Sequence, residues 1–372
     1  MKTISKSIMS LSFFAAVVAA FSCCSAKYID MDVTEFGLLL KENEAALIDV
    51  RTPGEFAQGH IAAAVNVDWN GDSFVEKVKA AYPLERPLAV YCRSGKRSAA
   101  AAKALAAEGY TVYNLKGGYL AWCEAGRRVT KYEVEVFKTA NGSLVSLCLI
   151  KHGSVEIEYD GVSIQVDPVP GFGKETDYAK EFPKADVILV THSHPDHLNG
   201  VAIESLTGDS TLLILNKKSD EMIAGGQLLG KGESMSGEKA VAKRLVIANG
   251  EKMELPKGIV LEAVPAYNTT PGREMFHPKG EGNGYVLTID GFKIYIAGDT
   301  EDVPEMASLA AMGIDVALLP VNQPYTMTVE QCAKAAGMVA PKVLIPYHFG
   351  QTDLSGLQEL LPEQKILFRD MK

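Results

Sequence analysis

Three imidazoles and a carboxylate fall within six residues in His192-Ser193-His194-Pro195-Asp196-His197, directly after the apolar run 185–190. Imidazole and carboxylate are the usual ligands of zinc, iron and manganese. An i, i+2 pair can chelate one ion while i+4 and i+5 turn towards another. Burying this much polarity beside a strand is costly unless bonds to metal offset it. Further ligands are expected where later apolar strands end: Asp299 in Ile296-Ala297-Gly298-Asp299-Thr300, and His348 in Ile345-Pro346-Tyr347-His348-Phe349-Gly350.

A second constellation is Val90-Tyr91-Cys92-Arg93-Ser94-Gly95-Lys96-Arg97-Ser98, a cysteine between an apolar strand and an Ala-rich helix. A loop at a helix N-terminus aims backbone N–H groups and the positive end of the helix dipole at what it holds. With Arg93, Lys96 and Arg97 adding positive charge, Cys92 is expected to have a lowered pKa and to act as a nucleophile in an anion-binding cradle.

The elements that must position these groups follow from the apolar patterning of the 372 residues. Between 31 and 126, strands at 46–50, 88–91 and 112–114 alternate with helical stretches, of which 98–108 is Ala-rich and ended by Gly109. That alternation predicts an α/β domain with a mostly parallel sheet and helices on both faces. The polar stretch 126–142, with an Asn141-Gly142 turn, is expected to hold the boundary. Beyond it, hairpin strands at 144–151, 155–159 and 162–166 are followed by strands at 187–191, 212–215, 259–264, 285–289, 293–297, 316–319 and 343–346 with helices between. This texture suggests a β-sandwich covered by helices.

Composition narrows the function. The chain has 37 Lys+Arg against 46 Asp+Glu, a formal net charge of −9, and 47% hydrophobic residues. The apolar content excludes disorder, and the acidic balance argues against nucleic acid as a partner. Lys2 and Lys6 before the apolar run 8–21, then Ser22-Cys23-Cys24, predict a signal peptide over 1–24 of the lipoprotein type, lipidated on Cys23 or Cys24. The expected location is therefore exported: periplasmic, or membrane-anchored through the lipid only. Cys92, Cys123, Cys148 and Cys332 are too widely spaced for a disulfide framework, and Cys123 and Cys148 read as small core residues.

The N-terminal motifs carry a family resemblance. Leu47-Ile48-Asp49-Val50-Arg51, Glu55-Phe56, Gly59-His60-Ile61, Ala64-Val65-Asn66, the loop 92–97, Leu115-Lys116-Gly117-Gly118 and Trp122 together resemble a single-domain rhodanese, in order and across 31–126. The resemblance implies that Cys92 is the catalytic carrier of sulfane sulfur as a persulfide. It also implies that Arg93, Ser94, Gly95, Lys96 and Arg97 bind the anion. Asp49, Arg51, Glu55 and His60 read as structural.

The C-terminal motifs resemble the metallo-β-lactamase superfamily across about 143–372, an αββα sandwich with metals at the sheet edge: His192-x-His194-x-Asp196-His197, Gly298-Asp299-Thr300 and Pro346-Tyr347-His348. His152-Gly153-Ser154, Val166-Asp167-Pro168 and Met327-Thr328 look most like its L-ascorbate-6-phosphate lactonase-type branch. By that resemblance His192 and His194 serve one metal, Asp196, His197 and His348 a second, and Asp299 bridges them. Asp196 is expected to act catalytically as well. The family's further histidine would follow a strand like 260–266, but this chain reads Pro265-Ala266-Tyr267-Asn268-Thr269-Thr270. His277, in Phe276-His277-Pro278-Lys279-Gly280, is the nearest candidate, as ligand or substrate contact. His152 and Asp167 read as supports, and Tyr267, Asn322 and Tyr325 as pocket candidates.

The expected architecture is thus a signal peptide (1–24), a rhodanese-like domain (28–127), a linker (128–142) and a metallo-β-lactamase-like domain (143–372). The expected function is an exported metal-dependent hydrolase of a small-molecule lactone, ester, amide or phosphodiester, with zinc, two per chain, as first choice and manganese or iron suited to the same ligands. A low-molecular-weight thiol or persulfide is a further expected partner. The pairing of domains also resembles iron-dependent persulfide dioxygenases, the alternative reading. A non-enzymatic sensing module is disfavoured by the intact Cys92 loop and the ligand set.

Overall fold

Ala46–Asp49 and Leu88–Tyr91 are buried at every position, as strands covered on both faces must be. The computed structural model of the chain describes residues 28–42, 45–173, 175–225 and 243–371. Residues 1–24, where the export signal is expected, lie outside them. The chain divides into two units between Val129 and Thr130.

In the first unit β1 (Ile29–Met31), β2 (Ala46–Asp49), β3 (Val65–Asn66), β4 (Leu88–Tyr91) and β5 (Val112–Leu115) form one parallel sheet in the order β1-β5-β4-β2-β3. Side chains alternate across it. Ile48, Leu88, Val90 and Val112 pack with the helices Phe74–Ala81 and Lys96–Ala107 on one face. Leu47, Ala89, Tyr91 and Leu115 pack with Val33–Glu42 and Gly118–Glu124 on the other. Cys148 is buried, but Cys123, expected in a core, is exposed.

The second unit holds two seven-stranded sheets. One runs β12-β11-β10-β9-β8-β7-β6, from β6 (Glu133–Lys138), β7 (Leu144–Lys151), β8 (Ser154–Tyr159), β9 (Val162–Val166), β10 (Ala185–Leu189), β11 (Thr207–Leu215) and β12 (Lys243–Val246). The other runs β13 to β19 in sequence order: β13 (Lys252–Glu254), β14 (Val260–Ala266), β15 (Gly282–Ile289), β16 (Phe292–Ile296), β17 (Val316–Pro320), β18 (Val343–Tyr347) and β19 (Lys365–Ile366). Val145, Leu147 and Leu149 of β7 join Leu261, Leu287 and Ile294 of the second sheet in one core. Cys148 and Ile150 of the same strand face outward, under the helix Gly200–Leu206. Each such fully buried aliphatic side chain contributes about 1.5–3 kcal/mol. The helix Val329–Val339 packs Cys332, Ala335, Ala336 and Val339 against the sandwich core, completing the αββα arrangement.

The expected linker 128–142 is only partly a linker. Glu133–Lys138 is a strand, antiparallel to β7 with Val134 opposite Cys148 and Val136 opposite Ser146. Its alternating Glu-Val-Glu-Val is a half-buried strand pattern, and Asn141-Gly142 turns that hairpin rather than marking a boundary.

Candidate functional site

The histidines and acids of the second unit converge from the ends of both sheets. From the first sheet come His152, in the β7–β8 turn, Asp167 after β9, and His192, His194, Asp196 and His197 after β10. From the second come His277, in the loop between β14 and β15, Asp299 after β16, and His348 after β18. The two edges are stitched together by backbone: His348 N–H donates to His152 O at 3.0 Å, and Asn283 N–H to Thr191 O at 2.9 Å. The Tyr285 hydroxyl donates to Val190 O at 2.7 Å.

Within this cluster the structure brings together three ligand-capable groups, in each of which one atom per residue lies within 4.8 Å of the others: His192, His194 and His277; His152, Asp196, His197 and His348; and His192, His197 and Asp299. Asp299 lies centrally. Its Oδ1 is 3.3 Å from His197 Nε2, and its Oδ2 is 3.3 Å from both His277 Nε2 and His348 Nε2. Asp196 Oδ2 is 3.0 Å from His152 Nε2 and 3.5 Å from His348 Nε2. His152, read from sequence as a support, thus stands among the ligand candidates.

The neighbours favour the protonation states that ligation requires in His192, His194, His152, Asp299 and Asp196, whereas His197 is held towards its charged form until a cation displaces the proton. Burial, reinforced by surrounding imidazoles, keeps His192, His194 and His152 below the ordinary histidine range, hence neutral. Burial works against ionised Asp299 and Asp196, but facing histidines outweigh it and hold both carboxylates ionised. His197 is opposed by burial and raised by Asp299 and Asp167 on its two sides. Asp167 Oδ2 lies 2.7 Å from His197 Nδ1, fixing which nitrogen faces the cluster, while Thr191 N–H and hydroxyl donate to the same carboxylate.

Two backbone features show how tightly the site is built. His152, Asp167 and His348 all have left-handed backbones, φ 47°, 46° and 47°, a conformation disfavoured for such residues and concentrated at functional sites. Gly153 lies so close to the His197 ring that a Cβ there would sit 2.7 Å from Cε1, so no other residue fits.

His277 reaches the cluster on a loop that leaves β14 and rejoins β15 at the paired positions Ala266 and Gly282. Asn268 N–H donates to His277 O at 2.9 Å. Buried Glu301 accepts from Thr269 N–H at 2.8 Å, Thr270 N–H at 2.6 Å and Arg273 at 3.1 Å. Glu301 is a positioning residue that the sequence reading missed. Its signal was an acid two residues beyond Asp299 with no apolar partner. Tyr267, a pocket candidate, is buried with its hydroxyl on Glu305, whereas Asn322 lies 3.5 Å from His348 Nδ1 and Tyr325 is exposed.

The residues fit metal on one further observation. His197 Nε2, His277 Nε2, His348 Nε2 and Asp299 Oδ1 are buried without a hydrogen-bond partner. Unsatisfied groups cost about 1–3 kcal/mol each, and their convergence on common points is what a cation ligand set looks like.

In the first unit Cys92 lies buried between β4 and the helix Lys96–Ala107, whose first turn takes in Lys96 and Arg97. Tyr119 N–H donates to Cys92 O at 2.8 Å and Leu120 N–H to Arg93 O at 3.0 Å. Gly118 makes this contact possible, since a Cβ there would sit 2.3 Å from Cys92 O. Burial pushes the Cys92 thiol up, yet contacts from Ser98 and from the N–H groups of Ser94 and Gly95 together outweigh it and leave the pKa lowered. Arg93, Ser94 and Lys96 are exposed around the thiol. Both terminal nitrogens of Arg97 bind Glu55, at 2.8 and 2.7 Å, which pulls the Glu55 carboxyl down to about 2, while the same guanidinium also stands beside the Cys92 thiol. His60 stacks on Phe56 with ring centres 3.7 Å apart, a structural placement.

Comparison with known proteins agrees with both units. Residues 146–348 match the β-lactamase superfamily domain and residues 32–125 the rhodanese-like domain. A UPF0173 metal-dependent hydrolase of Ignicoccus hospitalis is 33% identical over 213 residues, 55% of this chain and 82% of that protein. A second, from Pyrococcus furiosus, is 30% identical over 211 residues, 55% of this chain and 85% of the relative. The crystal structure of a Parabacteroides distasonis protein described as a metal-dependent hydrolase is 44% identical, with a TM-score of 0.56, covering 65% of this chain and all of the other. With its His/Asp cluster at the sheet edges and a rhodanese-like domain ahead of it, the chain belongs to the β-lactamase superfamily as a metal-dependent hydrolase akin to the UPF0173 proteins.

Proposed function

We propose that this protein is an exported two-zinc hydrolase whose rhodanese-like domain carries persulfide sulfur on Cys92. The observation that carries the hydrolase reading is the convergence of unpartnered buried atoms of His197, His277, His348 and Asp299. His192, His194 and His277 would hold one ion, Asp196, His197 and His348 with His152 beside them the other, and Asp299 would stand between. Bound zinc supplies Lewis acidity and brings a water's pKa towards neutrality. Asp167 keeps His197 Nε2 turned into the cluster. Asp196, whose side chain is 24% exposed against 4% for Asp299, is the carboxylate open to solvent. With Oδ2 turned to His152 and His348, its other carboxylate oxygen would be the one to take the proton of an attacking water and return it to the leaving group.

Elemental analysis of the mature chain tests this. Two zinc per chain are expected, falling to about one in His277→Ala because one of the two ligand sets then keeps only two imidazoles. No stoichiometric metal would overturn the proposal, and a single iron per chain would turn it towards persulfide oxidation.

Export rests on the Lys2, Lys6 and 8–21 pattern ahead of Cys23 and Cys24. The expected intact mass of membrane-extracted protein is that of a chain beginning at a lipidated Cys23 or Cys24. A full-length mass with an unmodified Met1 would refute it. Among the described residues no helix is long and apolar enough to cross a membrane.

A further inference from the structure

The two cations on the His277 loop are both taken up by carboxylates: Arg273 by Glu301 at 3.1 Å and Lys279 by Glu305 at 2.9 Å. Among the described residues that the loops around the cluster expose are three large apolar side chains. Met275 is 77% exposed, Phe172 54% and Tyr325 47%. Phe172 and Tyr325 each touch a ligand candidate, and Met275 lies in the His277 loop. The Phe172 ring stacks on His152, centres 5.8 Å apart and planes at 22°, from a backbone at φ 62° that an aromatic residue rarely adopts. Tyr325 O lies 3.1 Å from His277 Nδ1 and accepts from the Asn268 amide at 2.8 Å, while its ring packs edge-on against Phe276 at 5.1 Å. Met275 stands two residues before His277. Phe172 thus borders the His152 side of the cluster, and Met275 and Tyr325 the His277 side.

We propose that Phe172, Met275 and Tyr325 form an apolar collar that takes the uncharged acyl or alkyl chain of the substrate. The hydrolysed bond then belongs to a hydrophobic ester, lactone, thioester or amide rather than to a phosphorylated compound. An anionic group beside these side chains would lose hydration against apolar surface, and the two cations of the His277 loop are already paired with carboxylates. An alkyl chain there would remove from water the apolar surface that the loops now expose. This inference rests on the hydrolase reading above, and its test is read separately.

The test is calorimetric binding of acetohydroxamate and octanohydroxamate to the zinc-loaded full mature chain, two probes with one chelating head and different tails. Octanohydroxamate is expected to bind about a hundredfold more tightly, as half-burial of six methylenes implies. The double variant Phe172→Ala, Met275→Ala should cut that ratio below about tenfold. Leu360→Ala, which removes an exposed apolar side chain on the helix Leu357–Leu360, should leave it as in the wild type. A ratio near one, a ratio untouched by the double variant, or no binding of octanohydroxamate would each overturn the collar. Turnover of p-nitrophenyl acetate and octanoate, measured in parallel, reports on hydrolysis itself. Turnover with a flat hydroxamate ratio sinks the collar alone, whereas a steep ratio without turnover sinks the hydrolase reading and leaves the collar.

Discussion

Asp299→Ala is expected to bind less than about half an equivalent of metal and to hydrolyse substrate at least about 10³-fold more slowly, since Lewis-acid stabilisation of several kcal/mol, here about 4, is lost with the ions. The size of the effect follows from position. Asp299 is the carboxylate within 3.3 Å of imidazole nitrogens from three separate segments, His197, His277 and His348. Without it the central negative charge is lost: neutral imidazoles donate lone pairs to a cation but offset none of its charge, and Asp196 is left as the one carboxylate of the proposed ligand set. Asp299→Asn keeps the shape and removes the charge, so it separates lost ligation from lost packing. Both variants should stay folded by thermal unfolding. Wild-type metal content and rate in either would show that the cluster is not the hydrolytic centre.

Sulfur transfer from thiosulfate to cyanide should fall to background in Cys92→Ser, a loss of at least about 10³-fold, because a hydroxyl cannot carry sulfane sulfur as a persulfide and is a far weaker nucleophile than a thiolate. The same variant serves to locate the thiol's titration. The ultraviolet thiolate absorbance of the wild type minus that of Cys92→Ser should rise with a midpoint below the roughly 8.5 of free cysteine. The sign follows from the lowered folded-state pKa. Stabilisation by the thiolate is fully present above the free-cysteine value and is lost as pH falls through the folded one, so transfer activity should also decline across that window. A midpoint at or above the free value would mean that burial outweighs the contacts from Ser98, Ser94 and Gly95. Undiminished transfer in Cys92→Ser would place the sulfur elsewhere.

Local chemistry was legible because it is encoded locally. His192, His194, Asp196 and His197 follow one strand at a spacing that only their own backbone has to deliver. Cys92 likewise sits between a strand and a helix whose apolar and Ala-rich runs announce them. The strand positions were readable for the same reason: alternation such as Val145, Leu147 and Leu149 against Cys148 and Ile150 fixes which face is which. Short or polar strands were not readable. Glu133–Lys138 passed for a linker because its charged residues face solvent at a sheet edge, and Lys252–Glu254 has too few apolar residues to signal anything.

The sequence by itself determined that one half of this protein would present histidines and carboxylates for metal, and the other a cysteine in a cationic loop. It could not say which partners those groups would find. That His277 meets His192 and His194, that His152 stands beside Asp196 and His348, and that Glu55 pairs with Arg97 beside the Cys92 loop were decided by the tertiary structure. These pairings join residues 42 positions apart for Arg97 and Glu55 and 44 for His152 and Asp196. Separations of that length are closed only by sheet register and by loops such as the one Glu301 anchors, whose energies come from packing and hydrogen bonds across the whole unit rather than from any stretch of chain.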